Sequence, residues 1–134
     1  MDNKIILDWF NFADMDLDSA EYLSTMQRQP LEIICYHCQQ SAEKFLKGFL
    51  IFNGIEEPPK IHNLVTLCDM CEKFDSCFTE IIKQCSVLTL YGVQPRYPNE
   101  IIVENSDMKK ALEYANQIKN FAPLMEVRNV LEGS

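Results

Sequence analysis

Positive charge is scarce in this chain. Twelve lysines and arginines stand against twenty aspartates and glutamates, a formal net charge of −8. So acidic a surface excludes tight, nonspecific attachment to a phosphate backbone, and any nucleic-acid contact has to be short and local. Histidine is scarcer still, with only His37 and His62 available for proton transfer near neutral pH. No glycine-rich phosphate loop, Gly-x-Ser-x-Gly elbow or His-Glu-x-x-His pattern occurs, which removes the common nucleotide-hydrolase, serine-hydrolase and zinc-protease signatures. Apolar stretches are broken by charge before they reach membrane-spanning length, and the N-terminus lacks a sustained apolar core. A cytoplasmic protein without a membrane span is the expectation.

What is present is helical periodicity. Hydrophobic residues make up 47% of 134 residues and charged ones 24%, the composition of one ordinary globular domain spanning 1–134. Trp9, Ala13, Leu17, Ala20 and Leu23 mark a first helix from about Lys4 to Gln27, closed by Pro30. A second runs from about Leu31 to Phe52 and stops at Asn53-Gly54. Pro58-Pro59 stiffens the connector, His62 or Asn63 caps a third helix, and Asp75 or Ser76 starts a fourth. Gly92 to Asn105 is the longest connection, and loops beyond roughly 12 residues tend to be functional. Ser106 opens a last helix that Pro123 must kink or end, leaving the state of Leu124 to Leu131 open. The sum is an all-α, up-and-down antiparallel bundle of about five helices. Trp9, Phe10, Phe12, Phe45, Phe49 and Phe52 load the first two helices with more aromatic surface than one bundle hides, which predicts a homodimer.

Two chemical patterns dissolve on inspection. Cys35-Tyr-His-Cys38 and Cys68-Asp-Met-Cys71 have the pairwise spacing of zinc ligands, but both lie in helical patterns and too far apart for a zinc ribbon. They are read as core packing, and no metal or cofactor is expected. Asp14, Asp16 and Asp18 alternate as in a calcium loop but lack its glycine and its closing acid.

The segment Gln39-Gln40-Ser41-Ala42-Glu43-Lys44-Phe45-Leu46-Lys47 is the most informative. Gln40, Glu43, Lys44 and Lys47 share one helix face, and Ala42, Phe45, Leu46 and Phe49 the other. With Trp9 and Asp16-Leu17-Asp18-Ser19-Ala20 before it, His62-Asn63-Leu64 after Gly54, and Tyr91 with Arg96-Tyr97-Pro98, it resembles the HEPN domain family in order across nearly the whole chain. The resemblance implies a dimerising helical bundle, a nucleotidyltransferase protein partner, and a toxin–antitoxin-like two-component system. It also implies, for some members, ribonuclease activity from an arginine followed roughly four to six residues on by histidine. Here Arg96 is followed by no such histidine. Arginine stabilises phosphate charge but does not give up its proton, so catalysis by this chain alone lacks its usual base. The expected activity is binding of a nucleotide or RNA phosphate by Arg96, Tyr97, Tyr91, Lys44 and Lys47. One alternative is a metal-independent ribonuclease in which His62 or another residue serves beside Arg96. The other is a non-catalytic dimeric scaffold.

Overall fold

Asp2 starts the first helix by accepting the backbone N–H of Lys4 at 2.9 Å, which satisfies one of the donors every helix start leaves free. The computed structural model describes residues 2–93 and 102–133. Among these there are six α-helices, two short 3-10 turns and no strand. The helices are α1 (Asn3–Leu23), α2 (Leu31–Phe52), α3 (Leu64–Glu72), α4 (Ile82–Leu88), α5 (Asn105–Lys119) and α6 (Ala122–Glu132). None among the described residues is long and apolar enough to cross a membrane.

α2 is the axis of the bundle. It packs against α1, α3, α4, α5 and α6, so thirteen of its residues are buried on nearly every side. α1 contributes Ile6, Phe10, Ala13, Leu17 and Ala20 to the core. Ala13, Leu17 and Ala20 are the expected stripe, but at its N-terminal end Phe10 faces inward and Trp9 sits half-buried at the edge. Gly48 sets how closely the two helices approach, because a methyl group there would lie 2.7 Å from Phe10 Cε1. The Phe10 and Phe45 rings meet edge to face at 5.4 Å.

The helix ends follow from their residues. Gly54 takes a φ of +99°, so α2 closes with Ile55 N–H donating to Leu50 C=O at 3.1 Å and Gly54 N–H to Ile51 C=O at 3.0 Å. Asn63, not His62, caps α3 by accepting from Val65 and Thr66 N–H. Asp75 caps the turn before α4 by accepting from Cys77 N–H. Glu104 N–H donates to Asp107 Oδ2 at 2.9 Å and brings the start of α5 to Asn105.

Pro123 falls in the first turn of a separate sixth helix, where its missing N–H costs nothing. That helix is pinned by Arg128, whose guanidinium donates to both Asp14 carboxylate oxygens at 2.9 Å while lying over Phe10 and Phe45. Five cysteines are buried and Cys77 is exposed. Burial pushes the Cys35 thiol up to about 12 and raises those of Cys38 and Cys71 as well.

Two outcomes follow from this packing. Gly48→Ala should destabilise the fold by about 1–3 kcal/mol in urea unfolding, because Phe10 must leave its rotamer. In the native protein only Cys77 should react readily with a thiol reagent at mildly alkaline pH, and its bond with Asp75 should slow it relative to a free thiol. The five others should react only after denaturant unfolds the bundle.

Candidate functional site

Gln39, Glu43 and Lys47 lie at four-residue intervals, a single line along α2. The sequence places Glu43 and Lys47, with Gln40 and Lys44, on a polar face. The structure buries Glu43 and Lys47. Glu43 and Lys47 side chains are each 7% exposed, and Lys47 Nζ donates to Glu43 Oε2 at 3.1 Å. Gln39 is fully buried. Its Nε2 donates to Glu43 Oε1 at 3.1 Å and to the His62 carbonyl at 3.2 Å, and its Oε1 accepts from Gln40 Nε2 at 2.7 Å. A buried carboxylate is tolerable only with such a set of donors.

The remaining donor to Glu43 is the one that reaches solvent. His62 Nδ1 lies 3.2 and 3.3 Å from the two Glu43 oxygens, yet its side chain is 73% exposed. An ionised carboxylate only accepts, so His62 presents Nδ1–H to it and keeps Nε2 for other partners. The backbone around His62 is fixed by Leu64 N–H donating to Thr89 Oγ1 at 3.0 Å. Gly92 lies against the same cluster, since a methyl group there would stand 3.3 Å from Gln39 Nε2. Arg96 and Tyr97 lie outside the described residues.

The other candidates fall as follows. Tyr91 is half-buried against the core, and burial, with the negative field of Cys35 and Asp107, pushes its phenol up to about 12. It therefore stays neutral as a hydrogen-bond donor at physiological pH. Lys44 lies about 100° round α2 from Glu43. It is paired with Asp16 of α1, whose other oxygen takes His37 Nδ1 at 3.0 Å. In this arrangement both Lys44 and Lys47 already hold carboxylates. The same grouping of carboxylate, imidazole and ammonium thus occurs twice on α2, once with Asp16 and once with Glu43. Neither Glu43 nor Gln39 stood out in the sequence as a site residue. Their four-residue spacing was the signal, but spacing does not say which side of a helix will be covered.

Among the described residues no group of three or more His, Cys, Asp or Glu side chains is placed to hold a metal ion. Cys68 and Cys71 instead donate to the Phe78 and Leu46 carbonyls.

An all-α bundle organised round one central helix, with a buried carboxylate holding a surface imidazole, is the class of molecule defined here. The HEPN domain profile matches residues 6–126, and the chain belongs to the HEPN domain family. Among solved structures it is similar in fold to TT1696 from Thermus thermophilus, with 22% sequence identity and a TM-score of 0.72 over 91% of this chain and 97% of that one. Comparison with curated proteins finds no match.

Removing Glu43 strands Lys47 in the interior, so Glu43→Ala should cost about 3–5 kcal/mol in urea unfolding. The double variant Glu43→Ala/Lys47→Met should recover most of that loss, because no unpaired charge remains.

Proposed function

We propose that this protein binds the phosphate of a nucleotide or an RNA strand beside His62, as one half of a toxin–antitoxin-like pair with a nucleotidyltransferase. The observation that carries the proposal is His62, an exposed imidazole held at Nδ1 by buried Glu43. In its protonated form, an imidazole fixed in this way donates Nε2–H to a phosphate oxygen, with its ring already ordered. Arg96 supplies the bidentate phosphate contact, and Tyr97 or Tyr91 a ring for a base. Gly92, next to Tyr91, lies against Gln39 at this end of the bundle. Lys44 and Lys47 join only by exchanging Asp16 and Glu43 for phosphate. Membership of the HEPN family supports the nucleotidyltransferase partner and self-association into a dimer.

A second function is favoured by the same pair. A carboxylate on Nδ1 is the arrangement that orients a histidine as a general base. In RNA cleavage His62 Nε2 would take the proton of the 2′-hydroxyl as that oxygen attacks phosphorus. Arg96 would hold the charge that builds on the phosphate oxygens, and the departing 5′-oxygen would take its proton from solvent.

A thermal-shift panel of mononucleotides and short single-stranded RNAs separates these functions. Binding should raise Tm, by an amount corresponding to about 2.7 kcal/mol when ligand is at a hundredfold excess over Kd. Arg96→Ala should remove that rise while leaving the unliganded Tm nearly unchanged, and His62→Ala should remove it while lowering the unliganded Tm, because buried Glu43 loses a donor. A flat response across the panel overturns phosphate binding and leaves the scaffold. RNA cleavage by purified protein, lost in His62→Ala, establishes the nuclease.

A further inference from the structure

The outer face of α1 carries more large apolar side chains than a solvated helix face should, with Asp8 and Ser19 set among them. Ile5, Phe12, Met15 and Tyr22 are each about half exposed or more, and they lie within roughly a third of the helix circumference. Three neighbouring concavities follow this face. One of about 370 Å³ is floored by Ile5, Ile51 and Ile55. The next, of about 450 Å³, shares Ile5 and adds Trp9, Phe12 and Lys44. The third, of about 440 Å³, contains Tyr22, Leu23 and His37. A run of exposed apolar surface on this scale marks an interaction site.

The rim of this groove carries one sign of charge. Asp2 and Glu56 border the first concavity, Asp8 the second and Asp18 the third. Lys44, the only lysine or arginine among the described residues that lines them, is neutralised by Asp16. Lys4 reaches Asp8 only at 3.5 Å and in the open.

We propose that this groove receives a basic amphipathic helix from a protein partner, its apolar residues seated on Phe12, Trp9 and Ile5 and its lysines or arginines against the acidic rim. A second copy of this chain fits the rim poorly. An antiparallel pairing that lays Phe12 over Met15 also brings Asp8 of one copy beside Asp18 of the other, twice by symmetry, with only the exposed Lys4, 3.5 Å from Asp8, to relieve them. The proposal is independent of phosphate binding at His62, because the groove meets α2 at His37, Lys44 and Ile51, and neither His62 nor Glu43 lines it.

The sole tryptophan of the chain lines the groove and reports on it directly. Two synthetic helical peptides of about 18 residues, five turns, serve as probes. They share a leucine stripe at helical spacing and carry either lysine or glutamate on their other faces. The lysine peptide should produce a saturable blue shift of Trp9 emission at low salt, weakening as salt rises. Phe12→Ser, and the charge reversal Asp8→Lys/Asp18→Lys, should each weaken it by about tenfold or more. Tyr22→Ser replaces Phe12→Ser should the latter lower Tm. No emission change with the lysine peptide, or equal binding of the glutamate peptide, overturns the proposal. So does emission that shifts with protein concentration alone and stops doing so in Phe12→Ser, since a second copy then covers the face.

Discussion

The Glu43 carboxylate is the constraint from which the functional end of this bundle follows. It sits on a helix with almost no solvent-facing side, so its charge has to be answered from within the protein. Lys47 answers from the next turn, Gln39 from the previous one, and His62 from the start of the following segment. Because His62 is bound in this way, the chain between Pro59 and α3 cannot settle elsewhere on the surface without leaving an acceptor unmatched. Burial of one acidic group therefore decides where an imidazole is displayed. The histidine's exposure is a by-product of where the carboxylate's third donor had to come from.

The same logic governs the distribution of charge. Lys44 and Lys47 are held by acids on or against α2, while Arg128 and Lys119 both converge on Asp14. A chain already poor in cations thus commits several of them to partly or wholly covered ion pairs. Its open surface is more acidic than the net charge of −8 conveys. The acid-rimmed groove on α1 and the need for any phosphate to be bound locally, by a few aimed donors, share this origin.

Much of the architecture was legible because the helix boundaries are chemical. Asn53-Gly54, Asn63 and Asp75 each stop or start a helix by a local rule, and each does so here, whereas α1 ends at Leu23, short of the expected Gln27 and well before Pro30. What could not be read is what local rules leave out. Trp9 and Phe10 are both large and apolar, so periodicity could not choose which of them faces inward. Pro123 is forbidden inside a helix and welcome at its start, and only the turn before it decides which applies. Gln40, Glu43, Lys44 and Lys47 do share a side of α2, but spacing along one helix carries no information about the helices that cover it. Asp14 and Asp16, two residues apart, look alike in the sequence. One holds Arg128, 114 positions away, and the other holds His37 and Lys44. The pairing of His62 with Lys47 through Glu43 was invisible for the same reason, and Arg96 and Tyr97 fall outside the described residues.

The clasp between Asp14 and Arg128 has a consequence for how the protein comes into being. During synthesis α1 leaves the ribosome first, yet the guanidinium that answers its acid and lies over Phe10 belongs to α6. Until residues 122–132 have been made, one flank of the nascent bundle stays uncovered, whatever the earlier helices have achieved among themselves. Completion of this fold is set by the arrival of its final helix.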